Sequence, residues 1–160
     1  MPIYSRCCKG KIRDVAQTSG ADLPDVNVWL AMTIRNHPHH DRATRYWRQE
    51  ANSMVAFCRI TALALIRLCC NGPAMGGAPL SLAEAMKVYS DLLLLPEVAV
   101  SSEPDGCEVA FRGYVSSQTT SRMITDSYLA AFALSGDMRL ITFDNDFARF
   151  DGLSLLHLMK

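Results

Sequence analysis

The chain has 160 residues, of which 49% are apolar, enough for one domain with a hydrophobic core. Sixteen Lys and Arg balance sixteen Asp and Glu, so the formal net charge is zero, which excludes binding to nucleic acid through a strong overall positive charge. The six cysteines include two adjacent pairs and no C-x-x-C spacing, which indicates neither a zinc site nor a disulfide framework.

Residues 1–20 show no helical or strand period and are locally basic. We expect a loose N-terminal extension there and a single domain over residues 21–160. Residues 1–14 lack the apolar centre of a secretory signal, and the longest apolar runs are too short to span a membrane. Together with reduced cysteines, these features predict a soluble cytoplasmic protein.

The first half of the chain alternates short apolar runs with helical patterns. "LPDVN" (23–27) predicts a strand, followed by a helix from near Val28. "HPHHDRATRYWRQEA" (37–51) predicts a second helix with Pro38 in its first turn. "MVAF" (54–57) predicts a strand, and "ITALALIRLCC" (60–70) an apolar helix that the breaker "NGP" ends.

The second half continues the alternation. Ser81 and Glu84 have the spacing of a capping box, which predicts a helix from there to about Leu95. "EVAVS" (97–101) predicts a strand and "PDGCEVAFRGYV" (104–115) a helix. "TDSYLAAFALSG" (125–136) predicts another helix, and "MRLITF" (138–143) and "LSLLHL" (153–158) the last two strands.

This alternation predicts an α/β fold with three αβα layers, in which helices cover both faces of a parallel sheet of four to five strands. In such sheets ligands bind beyond the carboxyl ends of the strands. Asp25 and Asp144 each follow a predicted strand, and Asp126 begins a helix that should start at the same edge. Converging carboxylates suit hard divalent ions such as Mg²⁺ or Mn²⁺, although any single Asp here is equally typical of a helix cap or a turn.

Three segments taken in order resemble the PIN-domain ribonucleases, especially the VapC-type toxins of bacterial type II toxin–antitoxin pairs. They are "DVNVWLA" (25–31), "TDSYLAAFA" (125–133) and "LITFDNDFARFDGL" (140–153). The intermediate stretches "NHPHHDRATRYW", "FCRITALALIRL" and "GGAPLSLAEAM" are similar to one VapC branch. The resemblance implies a PIN fold, a metal-dependent endoribonuclease that leaves 5′-phosphate and 3′-hydroxyl ends, a cognate VapB-like antitoxin and a homodimer.

The resemblance also implies roles for individual residues. Asn27 and Thr142 would orient the metal-binding acids or the attacking water through hydrogen bonds, although Asn27 is equally typical of a helix cap. Asp146 would be an auxiliary acid at the metal. The residues implied to hold Mg²⁺ or Mn²⁺ and to carry catalysis are Asp25, Asp126 and Asp144.

Two positions depart from the family pattern. A Glu normally stands early in the helix after the second strand, and the matching residue here is Ala62, which cannot bind a metal. Glu103 is no replacement, because the strand before it should lie at the sheet edge. Pro24, before the first Asp, removes one N–H from the first strand. Ala62 therefore leaves an alternative open: a catalytically weakened PIN module that binds RNA or its antitoxin without cutting.

Two further clusters have two interpretations each. His37, His39 and His40 could hold zinc, but no fourth soft ligand accompanies them, so we interpret them as a surface cluster at a helix start. A second cluster recurs every third residue and therefore lies along one helical face, which is either simply solvated or in contact with an RNA backbone. Its members are Arg42, Arg45 and Arg48.

Overall fold

The structure, a computed structural model, describes residues 14–15, 20–116 and 119–159. Its strands form one sheet in which every neighbouring pair is parallel, as predicted, in the order β1-β4-β3-β2-β5-β6. The strands are β1 (Asp14–Val15), β2 (Asp22–Pro24), β3 (Val55–Phe57), β4 (Val98–Ser101), β5 (Arg139–Thr142) and β6 (Leu155–His157).

Strands β2 to β6 are the five that the sequence predicts, and β1 adds a sixth at the edge beside β4. This two-residue strand lies within residues 1–20, where we expected a loose extension. Apart from β1 and Gly20, that segment lies outside the described residues.

Six α-helices cover the two faces of the sheet in the described part of the chain: α1 (Val26–Thr33), α2 (His40–Gln49), α3 (Arg59–Cys69), α4 (Leu82–Leu93), α5 (Cys107–Tyr114) and α6 (Ile124–Ser135). Successive strand side chains point to opposite faces, so Val55 and Phe57 pack with α1, α3 and α4, whereas Ala56 packs with α6. The predicted αβα layering is confirmed. No helix among the described residues is long and apolar enough to cross a membrane.

Local hydrogen bonds explain where the helices begin. The capping box is confirmed: the Ser81 N–H donates to the Glu84 carboxylate at 2.8 Å, and the Glu84 N–H donates to the Ser81 hydroxyl at 3.3 Å. Helix α1 begins at Val26, two residues earlier than predicted, because the Asp25 carboxylate accepts the Val26 N–H. Helix α2 begins only at His40, so Pro38 precedes it and does not lie in its first turn.

Pro24 occupies the central strand β2 without breaking the sheet. The backbone N–H of Asp22 donates to Met54 beside β3, and that of Asp25 donates to Ile141 of β5. Because donors alternate sides along a strand, the position of Pro24 faces β3. There β2 pairs only at Asp22, while its pairing with β5 runs through Pro24. The missing N–H therefore weakens the β2–β3 pairing and leaves the β2–β5 pairing intact.

A buried ion pair joins the amino ends of β2 and β5, at the edge of the sheet opposite Asp25 and Asp144. The fully buried Asp22 carboxylate accepts two hydrogen bonds from the Arg139 guanidinium, each at 2.9 Å. It also accepts the Tyr46 hydroxyl at 2.7 Å and two N–H groups of Asn52. A buried carboxylate needs this many donors to offset its desolvation, so Asp22 is part of the scaffold.

Candidate active site

The fold brings two of the predicted acids to adjacent strands. Asp25 directly follows β2 and caps α1, and Asp144 lies two residues after Thr142, the last residue of β5. Strands β2 and β5 are neighbours in parallel register, with Pro24 opposite Ile141. The two acids therefore lie at the same carboxyl edge of the sheet, as the sequence predicts.

Asp25 is held by hydrogen bonds to both of its carboxylate oxygens. It is only 9% exposed, and its Oδ1 accepts the Val26 N–H at 2.6 Å. Its Oδ2 accepts Asn27 Nδ2 at 3.3 Å and the Thr142 hydroxyl at 3.4 Å. Thr142 also accepts the Asp144 N–H at 3.0 Å, so this one hydroxyl links the two acids. Asn27 and Thr142 thus contact Asp25 directly, while the helix cap is Asp25 itself.

The electrostatics of Asp25 reflect burial among other negative charges. Burial raises its pKa to about 6, and the bonds from Val26 and Asn27 oppose this rise only in part. Asp126 and Asp144 raise the pKa of Asp25 further through charge repulsion. A cation bound beside a carboxylate with such a raised pKa stabilises the charged form of that carboxylate.

Asp126 belongs to the same electrostatic cluster. It lies in the first turn of α6, with its side chain 32% exposed. Burial raises its pKa, Arg149 lowers it, and the charges of Asp144 and Asp146 raise it again. We name Asp25, Asp126, Asp144 and Asp146 the acid cluster.

Arg149 is a member of the site that the sequence analysis missed. Its guanidinium lies 3.7 Å from Asp126 and 3.9 Å from Asp146, and it stacks over the Phe150 ring at 4.9 Å. The i,i+3 spacing of Asp146 and Arg149 was the one available signal, because such residues face each other on a helical turn. Asp146 itself is 71% exposed, and its N–H donates to Asp144 at 2.8 Å.

The donor chemistry of the acid cluster suits a hard divalent cation. Its side-chain oxygens are all carboxylate oxygens, the type of atom that Mg²⁺ and Mn²⁺ prefer. Among the described residues, no three His, Cys, Asp or Glu side chains lie close enough together to hold a metal ion jointly. Mg²⁺ needs fewer, since it commonly binds one or two carboxylates and keeps several waters. The residues present therefore fit such an ion on donor chemistry.

The structure shows what stands at the position of the missing family Glu and where Glu103 lies. Ala62, in α3, is 1% exposed and packs in the apolar core, so this position supplies no acid. Glu103 accepts the Tyr128 hydroxyl and lines a separate cavity of about 250 Å³ with Arg59. The strand before Glu103, β4, is not at the sheet edge as we expected, because β1 pairs outside it, but it still lies two positions from β2.

The three arginines that recur every third residue on α2 lie in two different environments. Arg42 donates to both carboxylate oxygens of Glu50, at 2.7 and 3.0 Å, and to the Leu158 carbonyl at 2.8 Å. Arg42 is therefore used in packing α2 against the C-terminal segment. Arg45 and Arg48 are exposed.

The histidines lie partly exposed around the start of α2, as interpreted, and two of them also line a cavity. His37 and His39 are half-buried and line a cavity of about 540 Å³ that also touches Asn27, Phe143 and Asp144. His40 points elsewhere, since its Nδ1 donates to the Ala31 carbonyl at 2.7 Å. Burial, and then the charges of His39 and His40, lower the pKa of His37 below its usual value.

Comparisons with known proteins agree with this arrangement. The PIN domain family model matches residues 23–153. Ribonuclease VapC41 of Mycobacterium tuberculosis (strain ATCC 25618 / H37Rv) is 37% identical over 145 residues, covering 86% of this chain and 99% of its own. Ribonuclease VapC33 of the same strain is 28% identical over 134 residues, covering 82% and 93%.

Solved structures share the fold at lower identity. Mycobacterium tuberculosis VapC20, described as a sarcin-ricin loop cleaving toxin, superposes with a TM-score of 0.61 at 17% identity, over 80% of this chain and 93% of its own. VapBC-1 from nontypeable Haemophilus influenzae has a TM-score of 0.59 at 19% identity, over 88% and 99%.

Proposed function

The chain belongs to the PIN-domain family, in its VapC group, and from that premise we propose that it is a metal-dependent endoribonuclease acting as the toxin of a toxin–antitoxin pair. The observation that carries the proposal is the acid cluster. Asp25 is buried at the carboxyl edge of the sheet with a raised pKa, and Asp126 and Asp144 act on it electrostatically. Nothing in packing alone calls for three mutually repelling acids from three separate segments.

Of Asp25, Asp126 and Asp144, one or two would bind Mg²⁺ or Mn²⁺ directly and the rest through its water ligands, with Asp146 as an auxiliary acid, because no three described acids lie close enough together to share the ion. When bound, such an ion lowers the pKa of a water and polarises the phosphate of a scissile RNA bond. The chain's own residues prepare the site: Thr142 and Asn27 fix the Asp25 carboxylate, and Thr142 fixes the backbone at Asp144. A carboxylate of this cluster would accept the proton of the attacking water.

A second function is favoured by Ala62. A PIN module without the usual Glu would hold its cation more weakly and could act by binding RNA or an antitoxin without cutting. Ala62 is buried and supplies no acid, and no three described His, Cys, Asp or Glu side chains lie close enough together to hold a metal ion jointly.

One experiment separates the two functions. Purified protein is incubated with structured RNA and Mg²⁺ or Mn²⁺, and the product ends are analysed. We expect cleavage in the wild type and none in Asp25→Asn, with the exposed Asp105→Asn as a matched control that cuts normally. RNA binding without cutting would support the weakened module. Cutting that persists in Asp25→Asn or in chelator would refute the active-site assignment.

We also propose two protein partners, a VapB-like antitoxin and a second copy of the chain. The structural neighbours include VapBC assemblies from Haemophilus influenzae and Salmonella typhimurium, which supports the antitoxin. On α4, Leu82 is 65% and Met86 44% exposed, which supports a homodimer. Co-purification with the product of a neighbouring small gene tests the antitoxin. Light scattering of the wild type and Met86→Glu tests the dimer.

A further inference from the structure

The cavity lies beside the acid cluster, and two of its lining residues belong to the cluster or hydrogen-bond to it. Asp144 lines the cavity and belongs to the cluster, and Asn27 lines the cavity while its amide donates to Asp25. A group bound there would lie directly next to a phosphate placed at the acids. The volume of about 540 Å³ falls within the range of roughly 300–1,000 Å³ that is usual for ligand pockets.

Three aromatic rings line the cavity, those of His37, His39 and Phe143. The His39 imidazole stacks on the Phe143 ring, with centroids 4.6 Å apart and planes inclined by 26°. The His37 ring lies 5.7 Å from that of His39. All three side chains are half-buried, so part of each ring remains open to a ligand. Phe and His rings are among the side chains on which unpaired nucleobases stack.

The rings are held before any ligand arrives. The Phe143 carbonyl accepts His157 Nε2 at 2.9 Å, which fixes the backbone after β5. The His39 N–H donates to His37 Nδ1 at 3.2 Å, which fixes the imidazole of His37. A wall that is ordered in advance loses little entropy when a base stacks on it.

The charges of the cavity favour a base over a phosphate. Among the described residues that line it, none is Lys or Arg, and Asp144 is acidic. Phosphate binding would need cationic or backbone donors. The exposed side-chain amides of Asn27 and Asn145 can instead donate to and accept from the edge of a base.

We propose that this cavity, lined by His37, His39, Phe143, Asn27 and Asn145, binds an unpaired nucleobase of the RNA substrate next to the bond that is cut. The proposal rests on the proposed ribonuclease function, and it makes His39 and Phe143 specificity-determining residues. It requires the substrate to present an unstacked nucleotide, as in a loop or a single strand. A duplex, whose bases are already stacked, cannot fill the cavity.

The test uses single-stranded RNA pentamers carrying 2-aminopurine at one position at a time. They are bound in the presence of Mg²⁺ to the Asp25→Asn variant, which we expect not to cleave them. We expect fluorescence quenching at one position, because stacking on the open outer face of the His39–Phe143 ring pair quenches this base. In the same background, His39→Ala and Phe143→Leu should each weaken binding by about tenfold and abolish the quenching. Phe143→Tyr keeps the ring and should retain both. Phe111→Leu, the same change at a half-buried aromatic outside the cavity, should alter neither.

A second measurement keeps this result separate from the nuclease proposal. An abasic nucleotide at the quenched position should lower the affinity of Asp25→Asn for the RNA by about tenfold. In Asp25→Asn that also carries His39→Ala, the abasic nucleotide should cause no further loss of affinity. Quenching without any cleavage by the wild type would refute the nuclease function and still support the base site. Cleavage that is unchanged by the abasic nucleotide and by His39→Ala would overturn the base site. The same result is expected if the cavity binds a side chain of the antitoxin instead of a base.

Discussion

Replacing Asp25 by Asn should remove activity and at the same time stabilise the protein. Burial raises the pKa of Asp25 from 3.8 to about 6. The folded protein therefore binds this proton more tightly than the unfolded chain does. The free energy of unfolding consequently falls as the pH rises between about 4 and 6, and the loss is complete above about 6.

The magnitude follows from the shift. About two pKa units at 1.36 kcal/mol each correspond to about 3 kcal/mol of destabilisation at pH 7.5 in the absence of a cation. The Asn side chain keeps the capping role, but it cannot accept hydrogen bonds on both of its terminal atoms, which costs about 1 kcal/mol. We therefore expect Asp25→Asn to be about 1–2 kcal/mol more stable than the wild type at pH 7.5 and about equal at pH 4.5.

Urea unfolding at the two pH values measures this difference. Asp105→Asn, an exposed carboxylate in a turn, controls for the loss of a charge. Mg²⁺ at 100 times its Kd should add about 2.7 kcal/mol to the wild type and leave Asp25→Asn unchanged. If the two proteins differ equally at both pH values, Asp25 does not have the raised pKa and the electrostatic reasoning fails.

Three further changes test other parts of the structure. RNA cleavage at subsaturating Mg²⁺ should fall up to about tenfold per pH unit below pH 6, because the proton competes with the cation for Asp25; a rate that stays flat down to pH 5 would contradict this. Arg149→Gln should lower the Kd for Mn²⁺ several-fold in calorimetric titration, because it removes the positive charge beside Asp126 and Asp146; an unchanged or raised Kd would show that Arg149 does not compete with the cation. Asp22→Asn should lower the free energy of unfolding by about 3–5 kcal/mol, because Arg139 loses its buried partner. RNA cleavage per folded molecule should not change, and an unfolding curve equal to that of the wild type would remove Asp22 from the scaffold.

The sequence by itself determined the layers of the fold and the edge at which the acids lie. Apolar runs that alternate with helical patterns leave few packings other than a parallel sheet covered on both faces, and the acids after the "LP" and "LIT" segments must then end at one edge. The capping box of Ser81 and Glu84 was equally local, and it is present. These features depend on neighbours within a few positions along the chain, which is why they can be read from it.

Only the tertiary structure decided which acid is buried and what surrounds it. The pKa of Asp25 depends on desolvation by packed residues and on charges more than 100 positions away, such as Asp126 and Asp144. The pair of Asp22 and Arg139, 117 positions apart, likewise gave no signal in the sequence. Burial, charge and ring stacking act through space with no fixed spacing along the chain, so the sequence could supply the acids but not their energies.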